Sequence, residues 1–198
     1  IAAECKIPLL RHDVAWGYYE GYTGIKSYKK VIEAVAPLVR QAAEYARERG
    51  VKTCSENHGY LLQDSVRMLE LFAAVDHPNY GFLCDMGNFT VVDEDCATAV
   101  SALSDYIVHV HAKDMLVRSG MNFDPGRGYN LSRGGNYWRG TIFGHGNVPT
   151  FQILSAIRKS GYDGYVSLEF EGMEPVLEGV EIGTQNLQHM IEVVGKMK

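Results

Sequence analysis

The sequence lacks the features that define several large classes of protein. It contains no apolar run of about 18 residues, so a membrane-spanning helix is excluded. Only four cysteines are present, none at CxxC spacing, which argues against a disulfide scaffold. Basic residues are few: 19 Lys and Arg face 24 Asp and Glu, and the net charge of −5 argues against nucleic-acid binding. We expect a cytoplasmic protein without membrane or nucleic-acid partners, although the missing initial Met leaves a targeting signal open.

What the sequence does contain is an alternation of strand and helix patterns. A long helix is predicted for residues 27–49, with either a kink or a restart of the helix at Pro37. Its apolar stripe consists of Val31, Val35, Leu38, Val39, Ala42 and Ala46. Five runs have the composition of buried strands: IPLLRHDVAW, VKTCSE, YGFLCDMG, YIVHVHAKD and YVSLEFE. Their alternation with helices predicts a parallel α/β sheet, either an open doubly wound sheet or part of a (β/α)8 TIM barrel.

Side chains that can bind a metal or a substrate stand at the carboxyl ends of the predicted strands. In chain order they are Arg11, His12 and Asp13, then Glu56, Asp85, His109 and His111, and finally Glu169 and Glu171. Strand ends face a common centre in a barrel but form a row in an open sheet, so this pattern favours the barrel. Glu, Asp and His together suit a divalent ion. Each residue alone also fits a loop, a cap or a core histidine.

Five motifs occur in order along the chain: SENHG, CDMGN, HVHAKD, GHGNVP and GYVSLEFEG. In these motifs the chain resembles the xylose-isomerase-like barrel family of sugar and sugar-phosphate isomerases and epimerases. The family's relatives include ketose 3-epimerases, inosose dehydratases and apurinic endonucleases. The resemblance implies one divalent ion, Mn²⁺ as first choice with Mg²⁺, Co²⁺ or Zn²⁺ as alternatives. It implies as ligands Glu56, Asp85, His111 and Glu169.

Further site residues follow from the same resemblance. His58 and Asn88 match positions that contact the substrate or support the ligands. Asn88 also stands where some relatives carry His, which removes a ligand that multi-zinc apurinic endonucleases require and argues against DNA repair. His145 stands in GHGNVP where the family often has Glu, and we take it as a candidate substrate-binding residue.

The resemblance also implies a mechanism. The ion polarises the oxygens of a bound hydroxyketone and stabilises the enediolate that forms when the α-carbon loses its proton. Glu56 and Glu169 are the candidate catalytic acid and base, without assignment of which is which. Lys113 and Asp114 are candidate hydrogen-bonding or positioning groups, Lys113 as a substrate contact, with a surface salt pair between them as the alternative. A lyase, such as a cyclitol dehydratase, and a non-catalytic sugar-binding barrel stay open as other functions.

The chain holds fewer units than a whole barrel. A complete barrel has eight strand–helix units in about 250 residues, whereas five are predicted here. The resemblance matches these five to the family's fourth to eighth strands. We therefore expect a single domain, residues 1–198, that represents the later part of a barrel.

Two segments outside the strand ends are candidates for ligand or partner contacts. Residues 116–148 are predicted to form a long irregular loop, either a lid or an oligomer contact. As a lid it offers Arg127, Arg133 and Arg139 to a substrate, and as a contact it offers Tyr137 and Trp138. Near the first strand, Arg11 and Trp16 are candidate substrate contacts. We expect a homo-oligomer whose substrate is a sugar or cyclitol.

Overall fold

The computed structural model of the chain describes residues 1–197. They form two compact units, Ile1–Leu83 and the residues from Cys84 onward. In chain order the first elements are β1 (Leu9–Arg11), α1 (Tyr28–Arg47), β2 (Lys52–Glu56), α2 (Ser65–Val75) and β3 (Tyr80–Asp85). There follow α3 (Cys96–Leu103), β4 (Ile107–Ala112), β5 (Asp114–Arg118), β6 (Asn130–Leu131), β7 (Tyr137–Thr141), α4 (Thr150–Lys159), β8 (Val166–Leu168) and α5 (Val176–Lys196).

The main sheet has five strands in the order β1-β2-β3-β4-β8. β1 pairs with β2 in parallel, and so do β2 with β3 and β4 with β8. Just beyond β3, the backbone N–H of Met86 donates to the carbonyl of His111 at 3.2 Å. The predicted fold class is therefore confirmed: strands alternate with helices in a parallel half-barrel sheet. Because all carboxyl ends of parallel strands lie at one edge, this edge is where a site is expected.

Helix α1 buries a face that overlaps only partly with the predicted one, sharing Val39 with it. Its N-cap is Ser27, whose side chain accepts from the N–H of Lys30, and the helix runs through Pro37. The buried residues are Ile32, Ala36, Val39 and Ala43. The prediction was wrong for Leu38, which is 64% exposed. Leu38 instead lines an open cavity of about 900 Å³ beside β1.

Residues 116–148 are more regular than predicted, because β5, β7 and β6 form a three-stranded antiparallel sheet. The carboxylate of Asp93 anchors the turn between β6 and β7. It accepts from the Ser132 hydroxyl at 2.6 Å, from the Asn136 side-chain amide at 2.7 Å and from the backbone N–H of Gly134. β6 and β7 were missed because they are only two and five residues long, which is too short to show strand periodicity.

Two further features bear on the sequence predictions. The last helix, α5, is long and spans Val176–Lys196. Among residues 1–197, no helix combines the length and the apolar character that crossing a membrane would require.

Candidate metal centre

Three of the predicted ligands come together in the second unit. Asp85 is the last residue of β3, His111 lies in β4, and Glu169 directly follows β8. One ligand atom from each of them lies within 4.8 Å of the others. His111 Nδ1 and Glu169 Oε2 are 2.8 Å apart. Neighbouring parallel strands thus bring together side chains that are 26 and 58 residues apart in the sequence.

Local structure fixes the Asp85 carboxylate. The side chain is fully buried, and its Oδ1 accepts the backbone N–H groups of Gly87 at 2.8 Å and Asn88 at 2.9 Å. Its Oδ2 lies 3.1 Å from Nζ of Lys113. Since a carboxylate held by backbone donors cannot rotate freely, Asp85 presents Oδ2 in one defined direction.

Lys113 is buried, with only 2% of its surface exposed, and lies among three carboxylates. Besides Asp85, its Nζ is 3.2 Å from Glu169 Oε1 and 3.2 Å from Glu171 Oε2. The Asn88 side-chain oxygen accepts from the same ammonium at 3.4 Å. Burial alone would lower the pKa of Lys113, but the three carboxylates outweigh it and raise the pKa. The alternative of a surface salt pair is therefore wrong, because Lys113 is buried among acidic side chains.

The same contacts keep Glu169 ionised. Burial opposes its charge, yet the hydrogen bond with His111 and the ammonium of Lys113 hold the pKa of Glu169 well below its ordinary value. An ionised carboxylate beside an imidazole nitrogen is the form that a divalent ion requires of its ligands.

The donor set passes two tests for a divalent ion. Ligands at about 2.1 Å from a six-coordinate ion lie about 3 Å apart when they are adjacent, and the 2.8 Å separation of His111 Nδ1 and Glu169 Oε2 matches this. In addition, the carboxylates of Asp85, Glu169 and Glu171 face the single ammonium of Lys113. Two negative charges are left over, which one divalent cation balances. Oxygen and imidazole ligands suit Mn²⁺, Mg²⁺, Co²⁺ or Zn²⁺.

The first histidine of the HVH motif, His109, has a role separate from that of His111. His109 shares a hydrogen bond of 2.9 Å with the Ser167 hydroxyl on the neighbouring strand. Its ring is perpendicular to that of His111, with centroids 5.5 Å apart. Burial, together with His111, lowers the pKa of His109. His109 therefore lies beneath His111 as a neutral, hydrogen-bonded support. Ser167 was missed, although the period of two along β8 would have placed it on the same face as Glu169.

The first unit carries four further predicted site residues, Arg11, Trp16, Glu56 and His58. Glu56 ends β2 with a side chain that is almost fully buried, and its Oε2 lies 2.7 Å from Nε of Arg11. Arg11 also contacts Asp13 Oδ1 at 2.9 Å, and Asp13 Oδ2 accepts from the Trp16 indole at 3.2 Å. The exposed Trp16 ring stands edge-on to His58, with centroids 4.5 Å apart. Arg11, assigned as a substrate contact, is thus a partner of Glu56.

The remaining predicted residues lie in the second unit outside the carboxylate cluster. His145 is exposed in the loop before α4. That loop is organised by Asp114, whose buried carboxylate accepts the backbone N–H groups of Gly144, Gly146 and Val148. Arg139 is bound to Glu174 at 3.3 Å. Asp114 therefore shapes a loop and has no salt pair with Lys113 among the described contacts.

Comparison with known proteins gives a family match and several relatives. A family model described as a xylose isomerase-like TIM barrel matches residues 1–193. Inosose dehydratase from Lacticaseibacillus casei is 28% identical over 142 residues, which cover 70% of this chain and 47% of that protein. The inosose dehydratase of Lactiplantibacillus plantarum is 29% identical over 157 residues, 75% of this chain and 51% of that protein. The chain spans about half the length of the curated relatives it matches.

Solved structures share the fold. A D-tagatose 3-epimerase-like protein superposes with a TM-score of 0.70 at 20% identity, over 98% of this chain and 66% of that one. The IOLI protein, solved with a zinc atom, superposes with a TM-score of 0.74 at 15% identity, over 99% of this chain and 67% of that one.

Proposed function

The chain belongs to the xylose isomerase-like TIM barrel family, and from this premise we propose that it serves a divalent-metal-dependent isomerisation or epimerisation of a sugar or related polyhydroxy ketone. The observation that carries the proposal is the convergence of Asp85, His111 and Glu169 at the strand ends. We propose Glu56 as the fourth ligand of the same ion. The structural neighbour named D-tagatose 3-epimerase-like supports this reaction class.

The proposed chemistry divides between the ion and the side chains. When bound, the ion supplies Lewis-acid stabilisation of negative charge on the substrate oxygens. The carboxylates of Glu56 and Glu169 then move the proton at the carbon beside the carbonyl, one removing it and the other returning it. Glu169 is kept ionised by His111 and Lys113, and Glu56 is held by Arg11. Both are therefore oriented before a substrate arrives.

The proposed substrate contacts are polar and aromatic, as a polyhydroxy ketone requires. Trp16 and His58 offer an aromatic edge and face for the apolar side of a sugar, and Trp16 is largely exposed. Asn88, whose Oδ1 accepts from Lys113, is a proposed substrate contact next to the ligands, and His145 is a further proposed contact from an exposed loop.

A second reaction is favoured by a specific finding. Both matched relatives described above are named inosose dehydratase. In a dehydratase the same proton abstraction is followed by loss of a β-hydroxyl as water, so that the carbon is not reprotonated. The two reactions share the first step and the same side chains, and they differ only in the fate of the carbanion.

The metal part of the proposal is tested by titration calorimetry. The chelator-treated chain is titrated with MnCl₂, alongside Glu169→Gln and His111→Ala. Glu178→Gln is the control, since Glu178 lies exposed in the first turn of α5. We expect about one ion per chain, with affinity reduced roughly 10- to 100-fold in the two site variants and unchanged in the control. Equal affinity in all four proteins would refute the ligand assignment.

The reaction is tested with the Mn²⁺-loaded chain in D₂O. Proton NMR follows deuterium incorporation beside the carbonyl of fructose, tagatose and an inosose, and ultraviolet absorbance follows enone formation from the inosose. Exchange without enone supports isomerisation or epimerisation, whereas enone supports the dehydratase. An ion-loaded chain that catalyses neither step would contradict both and leave sugar binding as the function.

A further inference from the structure

Lys113 has the surroundings of a bound cation. Its side chain is 2% exposed, and its ammonium lies 3.1 Å from Asp85 Oδ2, 3.2 Å from Glu169 Oε1 and 3.2 Å from Glu171 Oε2. A fourth oxygen, Oδ1 of Asn88, is 3.4 Å away. Burying a charge on a flexible side chain costs much free energy unless oppositely charged groups surround it. Here three carboxylates do so.

The backbone is shaped to admit this lysine. A Cβ atom on Gly87 would lie 2.9 Å from the Lys113 carbonyl oxygen and 3.1 Å from its Cγ. Glycine at position 87 therefore permits the turn after β3 to lie directly on Lys113. Asp85, which precedes that turn, receives the backbone N–H of the same glycine at 2.8 Å. The turn, the carboxylate and the lysine form one packed arrangement.

The charges in this arrangement determine how Lys113 affects the binding of an ion. Without a cation, the carboxylates of Asp85, Glu169 and Glu171 would repel each other in a largely buried place. The ammonium of Lys113 offsets part of this repulsion and occupies one oxygen of each carboxylate. An added divalent ion acts on the same carboxylates, so the two cations stabilise the same charges and also repel each other.

We propose that Lys113 is a built-in counter-cation of the metal site. It holds the ligand carboxylates together in the metal-free chain, and because its positive charge repels the ion, it limits the affinity of the site for that ion. The inference rests on the proposed metal site and deepens it. It makes Lys113 a positioning residue rather than a substrate contact, because its ammonium is already surrounded by protein oxygens.

If Lys113 has this role, its replacement should lower the stability of the metal-free chain and at the same time strengthen Mn²⁺ binding, a combination that other roles of Lys113 do not predict. In Lys113→Met, the metal-free chain loses its counter-cation while the ion meets one positive charge fewer. The melting temperature of the metal-free variant should fall by about 10 °C. Its dissociation constant for Mn²⁺ should also fall, by roughly tenfold, so the ion should raise the melting temperature more than in the wild type.

The test measures both quantities by calorimetry on chelator-treated proteins, titrated with MnCl₂. Lys159→Met is the matched control, since Lys159 is exposed at the end of α4 and its loss changes the net charge equally. The control should match the wild type in both measurements. Weaker Mn²⁺ binding by Lys113→Met would overturn the proposal, and so would an ion-induced shift equal to that of the wild type.

A second variant covers the case in which Lys113→Met does not fold. Lys113→Met combined with Glu171→Gln removes one charge of each sign and restores the net charge of the cluster. Because Glu171 is exposed and is not a proposed ligand, the double variant should fold and recover at least half of the lost melting temperature. No recovery would overturn the proposal. If instead the wild type binds no Mn²⁺, the proposed function fails, independently of the variants.

Discussion

Replacing Asp114 by Asn should unfold a specific loop and lower the stability of the whole chain. The Asp114 carboxylate is 1% exposed and accepts four backbone N–H groups. Oδ1 accepts from Met115 at 2.8 Å and from Val148 at 3.2 Å. Oδ2 accepts from Gly144 at 2.9 Å and from Gly146 at 2.8 Å. Each oxygen therefore serves two donors.

The magnitude follows from this symmetry. Asn has almost the same shape, but one oxygen becomes an NH₂ group, and in either orientation two backbone N–H groups then face a donor. A buried donor without an acceptor costs about 1–3 kcal/mol, so the variant should lose about 2–6 kcal/mol of unfolding free energy. For a chain of this length that corresponds to a melting temperature lower by about 5–20 °C.

Thermal unfolding followed by circular dichroism measures the total effect. Hydrogen exchange followed by mass spectrometry measures the local one, in the peptide that contains residues 144–148. Asp105→Asn, at an exposed position before β4, removes the same charge and should change the melting temperature by less than about 2 °C. If Asp114→Asn melts with the control and keeps its protection in residues 144–148, the reasoning is refuted.

Two further predictions concern stability. Burial opposes the ionisation of Asp93, but hydrogen bonds from the β6–β7 turn lower its pKa, so the stability that its ionised form contributes is complete above the ordinary pKa of about 4 and is lost as the pH falls below that value. The melting temperatures at pH 7 and pH 3.5 should therefore differ less in Asp93→Asn than in the wild type. An equal difference in the two proteins would contradict this prediction. Gly87→Ala should lower the melting temperature, because the added Cβ would lie 2.9 Å from the Lys113 carbonyl oxygen. Gly195→Ala in α5, whose added Cβ would have no neighbour within 4 Å, should raise the melting temperature slightly. Equal shifts in the two variants would refute the steric argument.

Much of the candidate site was predictable from short-range patterns. Strand periodicity placed Asp85, His111 and Glu169 at or beside the ends of parallel strands, and the structure brings these three together. The period of two in HVH placed both imidazoles on one face, as their 5.5 Å separation shows. The carboxyl ends of neighbouring parallel strands lie at one edge of the sheet, which is why local signals indicated these positions.

The surroundings of the site were less predictable. The burial of Lys113 depends on Glu171, which is 58 residues away in the chain, and on the absence of a side chain at Gly87. Likewise, Arg11 reaches Glu56 across 45 residues. No periodicity encodes such pairs, because the partner of a side chain is decided only when packing in the folded chain has excluded the alternatives.

By itself, the sequence determined the order of strands and helices, the chemical types at the strand ends and hence the class of ion they suit. The tertiary structure alone decided which face α1 buries, that β5, β6 and β7 form a second sheet, and that Lys113 lies among carboxylates. The physical reason is range: periodicity is a property of a few consecutive residues, whereas burial and charge pairing are set by distant segments that meet only in the folded chain.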